Sequence, residues 1–259
     1  MKYIVITGSS KGLGFEMAKC FLESGNNVTL SGSNIQNLVS AAEKLANYKE
    51  HLFTILCDVT KRDDIENLWL RSKEKWGNID IWINNAGIPQ PDSHLWEIDD
   101  EQTKKVLETN LLGMVSGCQV AIKGMLQQGN GQVFNVEGFG SNGSLMKGLN
   151  LYGTTKRALT HITKAFAKEL KGTNICIGFL SPGMMSTEFV TGKGPNHIIK
   201  DSTRKIFNIL GDKPERPAAF LVKKMLAGTS NGKRIEWLTK RKVIFRFLKS
   251  IFVKRNIFD

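Results

Sequence analysis

A short apolar run rich in β-branched residues, Lys2–Thr7 (KYIVIT), passes straight into Thr7-Gly8-Ser9-Ser10-Lys11-Gly12-Leu13-Gly14. A helical pattern follows, carried by Leu13, Met17, Phe21 and Leu22 and stopped by Gly25. A strand, a glycine turn and a helix in that order leave few options. Gly8 permits the tight turn, Gly12 lets a phosphate approach the backbone, and Gly14 lets helix and strand pack closely. The start of the helix offers free N–H groups and partial positive charge to an anion.

The same alternation continues. Strand-like runs at Asn27–Ser31, Leu52–Leu56, Ile79–Ile83, Gln132–Val136, Asn174–Leu180 and Arg234–Leu238 are separated by helical patterns. Those patterns lie at Ile35–Ala46, Asp63–Trp76, Asp100–Gln128, Leu151–Leu170 and Arg216–Met225. Unbroken apolar strands alternating with helices predict an α/β chain with a doubly wound parallel sheet covered by helices on both faces. At 259 residues, with neither a repeat nor a Pro- or Ser-rich linker, the chain reads as one domain over residues 1–259. The irregular stretch 184–217, rich in Gly, Pro and Lys, lies where a substrate lid is expected.

Composition narrows the setting. Cys20, Cys57, Cys118 and Cys176 are far apart, with no C-x-x-C pair, so they read as small core residues and no metal site is expected. With no signal or transit pattern ahead of the first strand, and no apolar run of membrane-spanning length, a cytoplasmic chain is expected. A net charge of +12 asks for an anionic partner. Much of that charge falls in residues 239–259, where Lys240, Arg241, Lys242, Arg246, Lys249, Lys254 and Arg255 face one acid, Asp259. Val243, Ile244, Phe247, Leu248 and Ile251 form an apolar stripe if this segment is helical. Such a helix can lie on an anionic membrane, or pack its stripe on the body with its basic face in water. No groove-reading motif accompanies the charge, so nucleic acid is not the expected partner.

Six segments in a fixed order resemble the short-chain dehydrogenase/reductase family. They are Thr7 to Gly14, Asp58-Val59, Asn84-Asn85-Ala86-Gly87, Asn110, Tyr152-Gly-Thr-Thr-Lys156, and Ser181-Pro182-Gly183 through Thr187. The resemblance covers nearly the whole chain and implies a Rossmann fold binding a nicotinamide dinucleotide. It implies that Gly8, Ser10, Lys11, Gly12, Leu13 and Gly14 hold the pyrophosphate side. Asp58 and Val59 would touch the adenine, and Asn85, Ala86 and Gly87 would line the adenosine. Pro182, Gly183 and Thr187 would hold the carboxamide. The segments around Phe134–Ser141, Tyr152–Arg157 and Ser181–Glu188 are similar to the chlorophyll(ide) b reductase branch, which reduces a ring formyl group.

The second strand ends Leu30-Ser31-Gly32-Ser33-Asn34, without the carboxylate that binds the ribose of NAD. Lys11 can pair with a 2′-phosphate, and Ser33 and Asn34 can add hydrogen bonds, so NADP(H) is expected over NAD(H). Tyr152 and Lys156 stand one helical turn apart on one face. A phenol titrates near 10, and bringing it to about 7 takes roughly 4 kcal/mol. The expectation is that the Lys156 ammonium and an oxidised nicotinamide supply it, so that Tyr152 trades the proton. By resemblance, Lys156 also binds the cofactor ribose, and Asn110 anchors a water relay.

The family serine is missing. The segment reads Asn135-Val136-Glu137-Gly138-Phe139-Gly140-Ser141, with glycine or phenylalanine at the serine position. Ser141 is the expected substitute, ahead of Ser144, although either can simply bond local backbone. Glu137 reads as a surface acid or as a group orienting substrate or water. The leading expectation is an NADPH-dependent carbonyl reductase acting on an apolar aldehyde or ketone. The alternatives are a non-catalytic NADP(H)-binding sensor or scaffold and a membrane-peripheral enzyme. By resemblance, a homodimer or homotetramer forms through the long helices.

Overall fold

The computed structural model describes residues 1–186 and 201–258, apart from the side chains of residues 201 and 202. Seven strands form one sheet: β1 (Tyr3–Ile6), β2 (Asn27–Gly32), β3 (Leu52–Leu56), β4 (Ile81–Asn84), β5 (Gly131–Val136), β6 (Ile175–Ser181) and β7 (Arg234–Glu236). All pairings are parallel, in the order β3-β2-β1-β4-β5-β6-β7. The doubly wound expectation holds. The order reverses between β1 and β4, so the loops leaving their carboxyl ends diverge and open a crevice there.

The helices between the strands are α1 (Gly12–Glu23), α2 (Ile35–Lys44), α3 (Arg62–Trp76), α4 (Asp100–Leu107), α5 (Gly113–Gln128) and α6 (Asn150–Glu169). After β6 come α7 (Asp201–Leu210), α8 (Glu215–Leu226) and, beyond β7, α9 (Lys240–Ser250). Alternate residues of β1 point to opposite faces and found two cores. Ile4 and Ile6 pack with Met17 and Phe21 of α1 and with Leu221 and Met225 of α8. Val5 packs with Leu68 of α3, Cys118 and Ala121 of α5, and Leu159 of α6. Burial on both faces explains why the central strands show no polar alternation.

Three stretches differ from expectation. The helix expected over Asp100–Gln128 is interrupted by a π-helical turn, Glu108–Leu112, that carries the buried Asn110. Such turns concentrate at functional sites because they re-aim one residue within a helix. Within the expected lid, Asp201–Leu210 is a helix, and Lys- and Gly-rich surroundings had hidden its pattern. Thr187 and the remainder of that lid, 187–200, lie outside the described residues.

The third difference is the carboxyl-terminal helix. None of the residues of α9 is buried, and Ile244, Phe247, Leu248 and Ile251 are exposed, so the apolar stripe does not pack on the body. A buried carboxylate holds the helix instead. Asp212, between α7 and α8, receives Arg246 of α9 at 2.5 Å, Arg255 at 3.1 Å and the Trp237 indole N–H at 2.7 Å. Arg216 lies at 3.8 Å. Arg246 and Arg255 also donate to the last carbonyls around α7, those of Ile209, Leu210 and Gly211, where the helix dipole is negative. Arg246 and Arg255 are turned inward, while Ile244, Phe247, Leu248 and Ile251 are left outside.

Candidate functional site

The crevice at the carboxyl edge collects the loops leaving β1, β4, β5 and β6. After β1, the turn with Gly8 and Gly12 at φ +60° leads into α1. The first turn of α1 has no acid and its N-cap, Lys11, makes no side-chain cap bond. Free N–H groups without a competing anion suit a phosphate. A Cβ at Gly8 would sit 2.7 Å from Ala86 Cα, so the β1 and β4 loops are packed backbone against backbone. Asn85 fastens them, its amide donating to the carbonyls of Thr7 at 3.0 Å and Gly8 at 2.8 Å. Its side chain thus clamps the glycine turn. Ala86 and Val59 border one small crevice with Thr7 and Thr109.

At the end of β2, the exposed Ser33 follows Gly32, and a Cβ at Gly32 would lie 3.1 Å from Ser10 Oγ. Lys11 is exposed beside it in sequence. The Asn34 side-chain carbonyl caps α2 by accepting from Asn37 N at 2.8 Å, which leaves its amide N–H groups to donate to a phosphate. Asp58 is engaged locally, accepting from the N–H and hydroxyl of Thr60. Pro182 is buried at the exit of β6, and Gly183 takes φ +75° against Leu238.

The helix α6 carries the expected proton-transfer pair, and its attachment to β5 fixes where the pair lies. Asn135 of β5 accepts from Asn84 of β4 and donates to Thr163 of α6, each at 2.8 Å. One turn earlier, Thr160 Oγ1 lies 3.3 Å from Glu137 Oε1. Another turn back, Lys156 Nζ donates to the Val136 carbonyl at 3.0 Å and stands 5.5 Å from the centre of the Tyr152 ring. Gly87 faces the same spot, since a Cβ there would lie 3.3 Å from Asn110 Oδ1 and 3.9 Å from Lys156 Nζ. Tyr152, Lys156, Asn110 and Gly87 therefore gather at one place, at the ends of β4 and β5.

Both groups of the Asn110 side chain are taken by Ile88, whose N–H it accepts at 2.8 Å and whose carbonyl it donates to at 2.9 Å. Burial of the pair sets its proton affinities. Tyr152 is pushed well above the ordinary range of a phenol by desolvation. Lys156 is pushed down to about 8 by the same cause, with the Glu137 charge opposing. The expected acidification of the phenol by its lysine is not what the chain alone produces, because desolvation outweighs it.

Ser141 is buried, and its Oγ accepts from Gly138 N at 3.2 Å. Its own hydrogen remains to be donated. Ser144 is exposed. Gly138 stands directly against the phenol, since a Cβ built there would overlap the Tyr152 hydroxyl.

The sequence left Glu137 open between two readings, and two further features went unread. Glu137 is buried, held by Arg234 of β7 at 2.8 Å, and burial raises its proton affinity against that pull. It is not a surface acid. Gln90, also buried, accepts from Tyr152 N at 2.8 Å and so satisfies an N–H in the first turn of α6. Beside it lies a cavity of about 170 Å³, lined by Gln90, His94, Trp96, Lys147 and Asn150 among others. No motif marks these residues. Only the exposed aromatic at Trp96 offered a signal.

Residues 2–197 match the short chain dehydrogenase family. The chain is 33% identical to chlorophyll(ide) b reductase NOL of Arabidopsis thaliana over 99% of its length and 72% of that protein's. Among solved structures, a variant of actinorhodin polyketide ketoreductase with NADPH superposes with a TM-score of 0.78 at 23% identity, covering 91% of this chain and 95% of that one. The 3-ketoacyl-(acyl-carrier-protein) reductase of Brucella melitensis with NADH gives 0.79 at 23%, covering 93% and 98%. These two likenesses show the fold. The expected cytoplasmic location is corrected here, because the Arabidopsis reductase is chloroplastic. Among the described residues, no helix is long and apolar enough to cross a membrane.

Proposed function

Since this chain belongs to the short chain dehydrogenase family, in its chlorophyll(ide) b reductase branch, and is an oxidoreductase, we propose that it reduces an apolar aldehyde or ketone with NADPH. The observation that carries this reading is the convergence of Tyr152, Lys156, Asn110 and Gly87 beside the uncapped start of α1. The uncapped N–H groups of Gly12, Leu13 and Gly14 and the close-packed Gly8 turn fit a dinucleotide pyrophosphate. When bound, the reduced nicotinamide supplies hydride to the carbonyl carbon.

The chain supplies the rest. The neutral phenol of Tyr152 gives its proton to the carbonyl oxygen, and the Lys156 cation steadies the phenolate left behind. Ser141, through its free hydrogen, is the candidate donor to the developing oxyanion. Asn110, its side chain held by Ile88, stands beside Lys156, where the relay water belongs in this reading. The cavity beside Gln90, with the exposed Leu95 and Trp96 in its lining, offers an apolar wall to one part of such a carbonyl substrate. Val59 and Asp58 at the adenine, Ala86 at the adenosine, and Pro182 and Gly183 at the carboxamide complete the reading. A homodimer or homotetramer through α5 and α6 belongs to it too, supported by the exposed Leu112 and Leu126.

The test is consumption of NADPH with candidate formyl and keto compounds, chlorophyllide b included. The reading fails if no carbonyl is reduced while NADPH binds tightly. That outcome is what a non-catalytic sensor predicts, a reading favoured only by the local bond of the Ser141 hydroxyl to Gly138.

Two variants sharpen the reading. Lys11→Ala is expected to raise KM for NADPH roughly tenfold, the worth of one charge-assisted hydrogen bond, while leaving NADH kinetics as they were. Equal effects on both cofactors would remove Lys11 from 2′-phosphate recognition. Gly138→Ser adds a hydroxyl at one of the two positions, Gly138 and Phe139, that stand where the family has its serine, yet its Cβ must displace the Tyr152 hydroxyl. Overpacking of about 1–3 kcal/mol there predicts turnover lowered about tenfold or more. A rise in kcat would show that the phenol lies elsewhere.

A further inference from the structure

The exposed apolar face of α9 and the turn after it is unusual for its position and its rim. Phe245 is 63% exposed, Ile251 74% and Phe252 86%, and Ile244, Phe247, Leu248 and Val253 are exposed with them. They form one contiguous stretch of sequence, and around them Lys240, Arg241, Lys249 and Lys254 are exposed as well. From residue 239 to 258 the chain holds no acid. The face inward is Lys242, which lies over the Trp237 ring, with Val243, Arg246 and Ser250, spaced three and four apart.

Physical chemistry forbids the simple remedy of turning the helix over. Arg246 is committed to the buried Asp212 and to the Leu210 carbonyl, and Arg255 to Asp212 and the carbonyls of Ile209 and Gly211. Rotating the apolar side inward would tear two cations from a carboxylate that has no exposure of its own. The ionic anchor therefore presents the apolar face permanently to the outside. Exposed apolar patches of this kind mark a surface that something covers.

We propose that α9 and residues 251–254 dock this protein on an anionic lipid surface, with the phenylalanines and isoleucines entering the headgroup boundary and the lysines and Arg241 lying over the phosphates. Charge decides between occupants. A second copy related by a twofold axis would bring one acid-free basic rim against another, which costs free energy. An anionic bilayer meets the rim with the opposite sign and the apolar side chains with a medium that accepts them.

The test uses the full chain with vesicles of phosphatidylcholine and phosphatidylglycerol in equal parts, and with vesicles of phosphatidylcholine alone, read by co-sedimentation. The native chain is expected to sediment with the anionic vesicles at least tenfold more tightly than with the neutral ones, and less so as salt is raised. The double variant Phe245→Ser, Phe252→Ser is expected to lose about tenfold or more of that binding while its reduction of a water-soluble carbonyl stays native. The proposal is overturned if the native chain stays in the supernatant with anionic vesicles, or if the double variant binds as well as native. A soluble dimer that the double variant dissolves would give the face to a second copy, and would equally overturn it. Because the readout is binding, failure here leaves the catalytic reading untouched.

Discussion

Tyr152→Phe lowers turnover about a thousandfold while NADPH binding, read by fluorescence titration, stays near native. The magnitude follows from removing a positioned proton donor, a change usually worth about 10²–10⁴. Only the hydroxyl is lost, and the ring that packs beside Lys156 remains. The pH profile carries the electrostatic half of the argument. Burial raises the affinity of Tyr152 for its proton, so the phenol is fully protonated through neutrality and ready to act as an acid. The partner that titrates is Lys156, whose value is lowered to about 8. Its cation, which steadies the departing phenolate, is present below about 8 and is lost as pH rises through that value. Reduction is therefore expected to hold steady through neutrality and to fall on the alkaline side of 8. A variant Tyr152→Phe with native turnover, or a profile rising through pH 8, would remove the pair from the proton transfer.

Asp212→Ala is expected to cost about 3–5 kcal/mol of stability, as breaking a buried ion pair from one side does. For a chain of this size that is a Tm lower by roughly 10 °C or more, read by thermal unfolding. The reason is asymmetry. The carboxylate is fully enclosed, and the two guanidinium groups that touch it are largely shielded, with side chains 12% and 29% exposed. Removing the anion leaves both charges in place and the Trp237 indole without its acceptor. Glu66→Ala is the contrasting control, because its pair with Arg62 lies in solvent and is worth under about 1 kcal/mol. Equal losses in the two variants would mean that Asp212 is no anchor.

Much of this was legible before any coordinates. The β1 turn, the succession of strands and helices and the Tyr152–Lys156 pair follow from local rules: a period of two, a period near four, and glycine where backbones meet. What escaped has a shared cause. The π turn carries Asn110, whose side chain bonds Ile88 more than twenty residues away, and no periodicity records that. Glu137 stayed open between a surface acid and a group orienting substrate or water because its partner, Arg234, lies 97 residues on. The outward face of α9 goes against the packed one of the two readings of its amphipathic pattern, since the pattern cannot show that a buried Asp212 competes for the helix's cations. Gln90 carries no motif at all. Its role follows solely from the first turn of α6 needing an acceptor.

Asp212 has one more set of bonds. Its N–H donates to the Met184 carbonyl at 3.0 Å, and its own carbonyl accepts from Ser186 N at 3.2 Å. One residue thus knots the exit of β6, which leads to the crevice, to the last twenty residues of the chain. A tag, fusion or shortening made at that terminus is accordingly no cosmetic change. It pulls on the same knot that holds the exit of β6 at the crevice.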